Sequence, residues 1–351
     1  MKGEEIHRGD LNWEGKELTF LVDAPRVVAG DFICSNNNLI SLEGAPRFVE
    51  GSFNCSQNNL TTFEYAPKEV GRDFECDENH LISLEGAPKV VRGYFGCSGN
   101  ELMSLEHAPN EVGGFCCDGN NLASLEGAPK VVRWYFGCSG NELMSLEHAP
   151  KKVGGEFYCS HNELTSLKYA PKQVGGEFDC SNNNLISLEG APQEVGGWFS
   201  CSNNNLTSLE HAPKVVGRNF NCSSNNLISL EYAPRVVTGN FFCPDDDLTS
   251  LEGVSKEVKR TFDCSNNNLG SLEGAPQEVT GTFRCFNNDL TSLEHAPKVV
   301  GRDFNCSNNN LTSLEHAPKV VGRNFVCLKN SVQFTEEDVR KVCDVKGDVI
   351  V

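Results

Sequence analysis

FICSNNNLISLEGAP, residues 32–46, decides the fold of this chain. Phe32 and Cys34 stand two residues apart, the spacing of one face of a β-strand, so Asp31, Ile33 and Ser35 point the other way. Leu39 and Leu42 add apolar positions, and the Ala-Pro ending excludes a regular helix, because the residue before proline avoids the helical region. The stretch recurs. Phe-x-Cys places cysteine at 34, 55, 76, 97, 117, 138, 159, 180, 201, 222, 243, 264, 285, 306 and 327. Every interval is 21 residues except the 20 from Cys97 to Cys117, where EVGGFCC stands against KVGGEFYC and one residue has been lost.

A 21-residue period is too short for a helical hairpin, and one repeat cannot bury its Phe, Cys and Leu alone. Stacking repeats at about 4.8 Å gives a parallel sheet and a continuous core. The expected fold is a solenoid with extended, polyproline-like or 3-10 return segments. An asparagine column (Asn37, Asn58, Asn79 and onward to Asn330, with Asp246 the lone substitute) falls in the turn after the strand, where backbone groups need partners.

The segment Phe32-x-Cys34-x-x-Asn37-x-Leu39, followed by Leu42, resembles the leucine-rich repeat, with Phe and Cys in place of two leucines. The short period and the Leu-x-x-Ala-Pro ending look most like the short bacterial class found in secreted effectors; similar arrays with an F-T-x-x-x-V cap occur in large phages and giant viruses. The resemblance covers residues 16–330 and implies an α/β-horseshoe-class solenoid, mostly β, with its parallel sheet on the concave face. In that family the asparagine bonds backbone groups of adjacent turns. The expected organisation is an N-terminal cap and half repeat (1–26), about fifteen repeats (27–330) and a C-terminal cap (331–351). In the last, Thr335 is an N-cap candidate ahead of Glu336, Glu337 and Asp338, and Val349–Val351 are a candidate last strand.

Acidic residues number 48 and basic residues 30, a formal charge of −18, which argues against nucleic-acid and anionic-membrane binders. No apolar run approaches a membrane span, and MKGEEIHRGDLNWEG has no signal-peptide core, so a cytoplasmic location is expected.

Fifteen of the 17 cysteines fill one inward column, which reads as reduced, buried, small hydrophobes rather than disulfides or metal ligands. Cys116 alternates with Phe115 and Cys117 and should face outward as an exposed thiol. His107, His148, His211, His295 and His316, each after Glu in SLEHAP, read as a solvated return surface. Asp245-Asp246-Asp247 does not match a calcium loop. No catalytic residue, metal site or cofactor is expected.

With core columns this constant, function should lie where the outward strand positions vary. Acids outnumber bases there, and aromatics gather mid-array: Tyr94, Trp134, Tyr135, Tyr158, Trp198 and Phe242, with Glu156, Glu177 and Asp179 among them. Tyr and Trp are interface hot-spot residues. The expected function is a non-enzymatic scaffold binding a protein with a basic or mixed apolar surface, as in a phage or pathogen protein that inhibits a host protein. The alternatives are an acidic mimic of nucleic acid that blocks a DNA-binding protein, and a recognition module of an enzyme complex. Residues 89–109 nearly equal residues 130–150, the mark of a two-repeat duplication.

Overall fold

The computed structural model describes residues 6–254 and 258–351. The chain is a parallel β-solenoid of the leucine-rich-repeat type, whose regular elements among the described residues are short strands and one short helix near the C-terminus. It divides into two compact units, Met1–Leu164 with Lys168–Gly175, and Thr165–Leu167 with Gly176–Val351. The first five residues of the N-terminal segment lie outside the described residues.

Each coil contributes the expected Phe-x strand, as in Phe32–Ile33, Phe53–Asn54 and Phe74–Glu75, paired in parallel with Phe opposite Phe. The strands are two residues long in most coils because a glycine-rich bend precedes them and the Cys-Ser-x-Asn turn follows. A second parallel ladder was not expected. Before the bend, pairs such as Val27–Val28, Phe48–Val49 and Glu69–Val70 also stack in register, and their second valine is buried. The sequence signal was the Val column one or two residues before Gly in most repeats, whose alternation is too short to read as a strand by itself.

Core phenylalanines stack coil on coil. Ring centroids lie 5.2 Å apart for Phe74–Phe95 and 5.9 Å for Phe115–Phe136 in the N-terminal unit, and 5.5 Å for Phe178–Phe199 and 5.1 Å for Phe304–Phe325 in the C-terminal one. Trp13 closes the N-terminal end edge-on to Phe32 at 5.6 Å. The column cysteines are buried and free. Their thiols donate to carbonyls of the next coil, as Cys76 Sγ does to Gly96 O at 2.9 Å, and burial pushes Cys34 up to about 12, so the column stays protonated.

The asparagine column ties the coils together. Asn58 Nδ2 donates to Cys55 O and Ser56 O in its own coil and to Cys34 O one coil back, all at 3.1–3.2 Å, while its Oδ1 accepts from Leu39 N at 3.0 Å. One side chain thus satisfies buried backbone groups of two coils. Asp246 occupies the same place. Its Oδ1 accepts from Asn225 N and Leu227 N, but a carboxylate has no N–H to donate, and Oδ2 is buried without a partner.

The return segment carries a turn rather than a 3-10 helix among the described residues. Ala45 N donates to Leu42 O at 2.9 Å, and Gly44 between them has φ 87°. A Cβ at Gly44 would meet Leu21 O at 2.4 Å. The histidine row occupies this left-handed position (His107 φ 74°, His316 φ 67°), a conformation that costs any residue but glycine.

At the C-terminus, Thr335 caps Glu336–Val342. Its Oγ1 accepts from Asp338 N at 3.2 Å, and its own N–H donates to Asp338 Oδ2 at 3.0 Å. Asp344–Val345 and Val349–Ile350 then extend the two ladders, pairing with Val320–Val321 and Phe325–Val326.

Candidate functional site

The outward strand face of the N-terminal unit departs from the plain repeat between residues 73 and 158. The lost residue starts this. Glu111–Cys116 and Val131–Gly137 run straight through the bend as long strands, and their register slips by one between Val112 and Gly114. Val132 to Phe136 therefore holds one residue more than Val112 to Phe115. Trp134 takes up the excess. Its indole lies across Gly113 and Gly114, where a Cβ at Gly113 would meet Trp134 Cη2 at 2.0 Å. Only glycines admit the ring, so the deletion and the tryptophan form one feature.

The register sets two adjacent rows of outward residues. One runs Tyr94, Gly114, Tyr135, Glu156; the other runs Glu75, Gly96, Cys116, Gly137, Tyr158. Tyr94 and Tyr135 stand edge-to-face at 6.2 Å, and Tyr135 and Tyr158 at 5.6 Å. Trp134 and Tyr94 both adjoin the bare backbone of Gly114. Four of the six expected aromatics thus form one surface, with Trp134 46% exposed and the three tyrosines half-buried.

Acids border this surface. Glu75 is raised from its ordinary value by burial and by the neighbouring charges of Asp77 and Asp73. Asp77 and Asp118, one residue beyond their column cysteines, are raised chiefly by burial. Sequence reading missed both aspartates. The available signal was their replacement of the serine that follows most column cysteines.

Cys116 corrects an expectation. It faces outward as its alternation requires, yet it is only 5% exposed. Tyr135 Oη lies 3.6 Å from its sulfur, and Ser98 Oγ donates to it at 3.1 Å. Burial pushes the thiol up to about 11, which disfavours the reactive thiolate.

Glu177, Asp179, Trp198 and Phe242 belong to the C-terminal unit. Asp179 Oδ1 accepts from Ser181 N at 2.9 Å in a local turn. Trp198 is half-buried, and its indole N–H has no acceptor among the described residues. Phe242 stands in register between Asn221 and Asp263. Trp198 and Phe242 form no ring pair like that of the tyrosines among the described residues.

Solved structures share the fold. YopM from Yersinia enterocolitica WA-314 is similar at a TM-score of 0.71 and 19% identity, over 94% of this chain and 80% of that one. The functional domain of InlJ from Listeria monocytogenes, described as including a cysteine ladder, gives 0.58 and 19% over 82% and 64%. YopM from Yersinia pestis, a leucine-rich effector protein, gives 0.53 and 16% over 97% and 88%. No protein-family model and no curated protein matches the sequence.

Proposed function

We propose that this chain is a non-enzymatic protein-binding scaffold whose principal contact surface is the outward strand face around Tyr94, Trp134, Tyr135 and Tyr158. The aromatic cluster carries the reading. Three tyrosines and a tryptophan are held on a two-ladder backbone, so partner binding orders few additional groups. The surrounding Glu75, Asp77, Asp118 and Glu156 favour a partner with a basic, partly apolar surface. Likeness in fold to the effector YopM supports a phage or pathogen protein that binds and inhibits a host protein. Among the described residues no helix is long and apolar enough to cross a membrane. A cytoplasmic site of action is part of the proposal.

Capture of proteins from host-cell extract tests this reading. Wild type should retain a protein at moderate salt. Tyr135→Ala/Tyr158→Ala should weaken retention by about thirtyfold, the loss of a hot spot. Equal retention by that variant moves the contact elsewhere. Retention only at low salt, abolished by competing DNA, favours the nucleic-acid-mimic alternative.

A further inference from the structure

The near-identity of residues 89–109 and 130–150 has a structural counterpart on the strand face. Where most coils carry a side chain between Phe and Cys, the duplicated coils carry Gly96 and Gly137. A Cβ at Gly96 would lie 2.7 Å from both Tyr94 Cε1 and Asp77 Oδ2. A Cβ at Gly137 would lie 2.8 Å from both Tyr135 Oη and Asp118 Oδ1. At each glycine, a tyrosine side chain and a carboxylate therefore both lie over bare backbone, and at Gly137 the Tyr135 hydroxyl also bonds the Asp118 carboxylate. The carboxylates are held alike: Asp77 Oδ1 accepts from Ser98 N at 2.7 Å, and Asp118 Oδ1 from Ser139 N at 2.6 Å. Among the described residues neither aspartate has an ion pair, although Arg92 and Arg133 precede the two strands. A carboxylate beside an aromatic side chain, partly withdrawn from water and without a counter-charge, is a receptor for a cationic side chain.

Spacing fixes the partner's form. Gly96, Cys116 and Gly137 are consecutive partners in the ladder, so the two pairs lie two strand spacings, roughly 10 Å, apart. A chain in the polyproline II conformation rises about 3.1 Å per residue and turns once in three residues, so it covers about the same distance in three positions and presents both side chains on one side. We infer that the pairs Asp77–Tyr94 and Asp118–Tyr135 receive two lysine or arginine side chains, three positions apart, from one polyproline II segment of a protein partner. This deepens the scaffold reading and rests on it. Glu75 and Glu156 flank the same rows and add negative potential without setting the spacing.

The test uses the full chain and two synthetic Gly/Ser peptides, one with arginines three positions apart and one with the same arginines adjacent. Binding is read by NMR shifts of the Gly96 and Gly137 amides at physiological salt. The spaced peptide should shift both amides and bind several-fold more tightly than the adjacent one. Asp77→Asn/Asp118→Asn keeps the acceptor for the two serine N–H groups and should lose about tenfold per aspartate. Gly96→Ala/Gly137→Ala keeps the charge but drives ring and carboxylate apart, and should also weaken binding. Equal affinity for the two peptides, or unchanged affinity in the Asn variant with an unchanged melting curve, overturns the inference. Capture of a partner from extract that survives Asp77→Asn/Asp118→Asn but fails in Tyr135→Ala/Tyr158→Ala overturns it too, and leaves the scaffold reading standing.

Discussion

Glu75 in the N-terminal unit and Asp263 in the C-terminal unit occupy the same repeat position, between the core Phe and Cys. Asp263 is completed within the chain. It accepts from Ser265 N at 3.1 Å and Ser265 Oγ at 2.6 Å, and it pairs with Arg284 of the next coil at 3.2 Å. Glu75 accepts from Asn54 Nδ2 at 2.9 Å, carries no ion pair among the described residues, and has Asp73 and Asp77 as neighbouring charges, with glycine opposite it in the next coil. One backbone thus carries two kinds of surface. Around Asp263 the charge is balanced internally. Around Glu75 and the tyrosines no such balance exists among the described residues, and that imbalance is what the proposed contact surface rests on.

The largest effects should come from the ladder common to both units. Asn141→Ala removes an acceptor from Leu122 N and a donor from Cys117 O, Cys138 O and Ser139 O. Urea unfolding should show a loss of about 3 kcal/mol. A loss under about 1 kcal/mol would mean that water replaces the side chain.

Asp246 is the weak rung, and its sign is opposite. Burial raises it from 3.8 to about 7. The folded state therefore binds a proton that the unfolded state releases, and stability falls as pH rises through that interval. Asp246→Asn should stabilise the protein, with a gain that grows from about pH 4 to about pH 7, levels off, and reaches roughly 2–4 kcal/mol. A gain independent of pH would show that the carboxyl is not the titrating group.

Smaller effects address the two carboxylates directly. Arg284→Ala should cost less than about 1 kcal/mol, because the arginine is 43% exposed and water screens the pair. Glu75→Gln should be neutral to slightly stabilising at pH 7, since it removes a charge among like charges. If Glu75→Gln is instead as costly as Asn141→Ala, Glu75 is structural and the contrast between the units disappears.

The period, the Phe-Cys alternation and Ala-Pro were enough to read the parallel solenoid, and the capped terminal helix was legible from Thr335 and the acids behind it. Each of these depends on local spacing. The Val ladder was not legible, because two residues carry no period. The burial of Cys116 was not legible either: alternation gives the side of a strand, not what a tyrosine one coil away lays over it. Of the site, the tyrosines were readable as unusual residues at variable positions. Their convergence on Gly96 and Gly137, and the place of Asp77 and Asp118 beside them, depend on a register set by a deletion and a bulge. Trp198 and Phe242 looked equivalent to the tyrosines in sequence, but among the described residues neither forms a ring pair with a neighbouring coil, and the proposed surface does not rest on them.

Hydroxyl-radical footprinting of the chain alone and with its captured partner tests the central claim most directly. The account predicts protection of Tyr94, Trp134, Tyr135 and Tyr158, with Trp198 and Phe242 changing less. Protection confined to the Glu/His return side, such as His107 and His148, with the four aromatics unchanged, would contradict it.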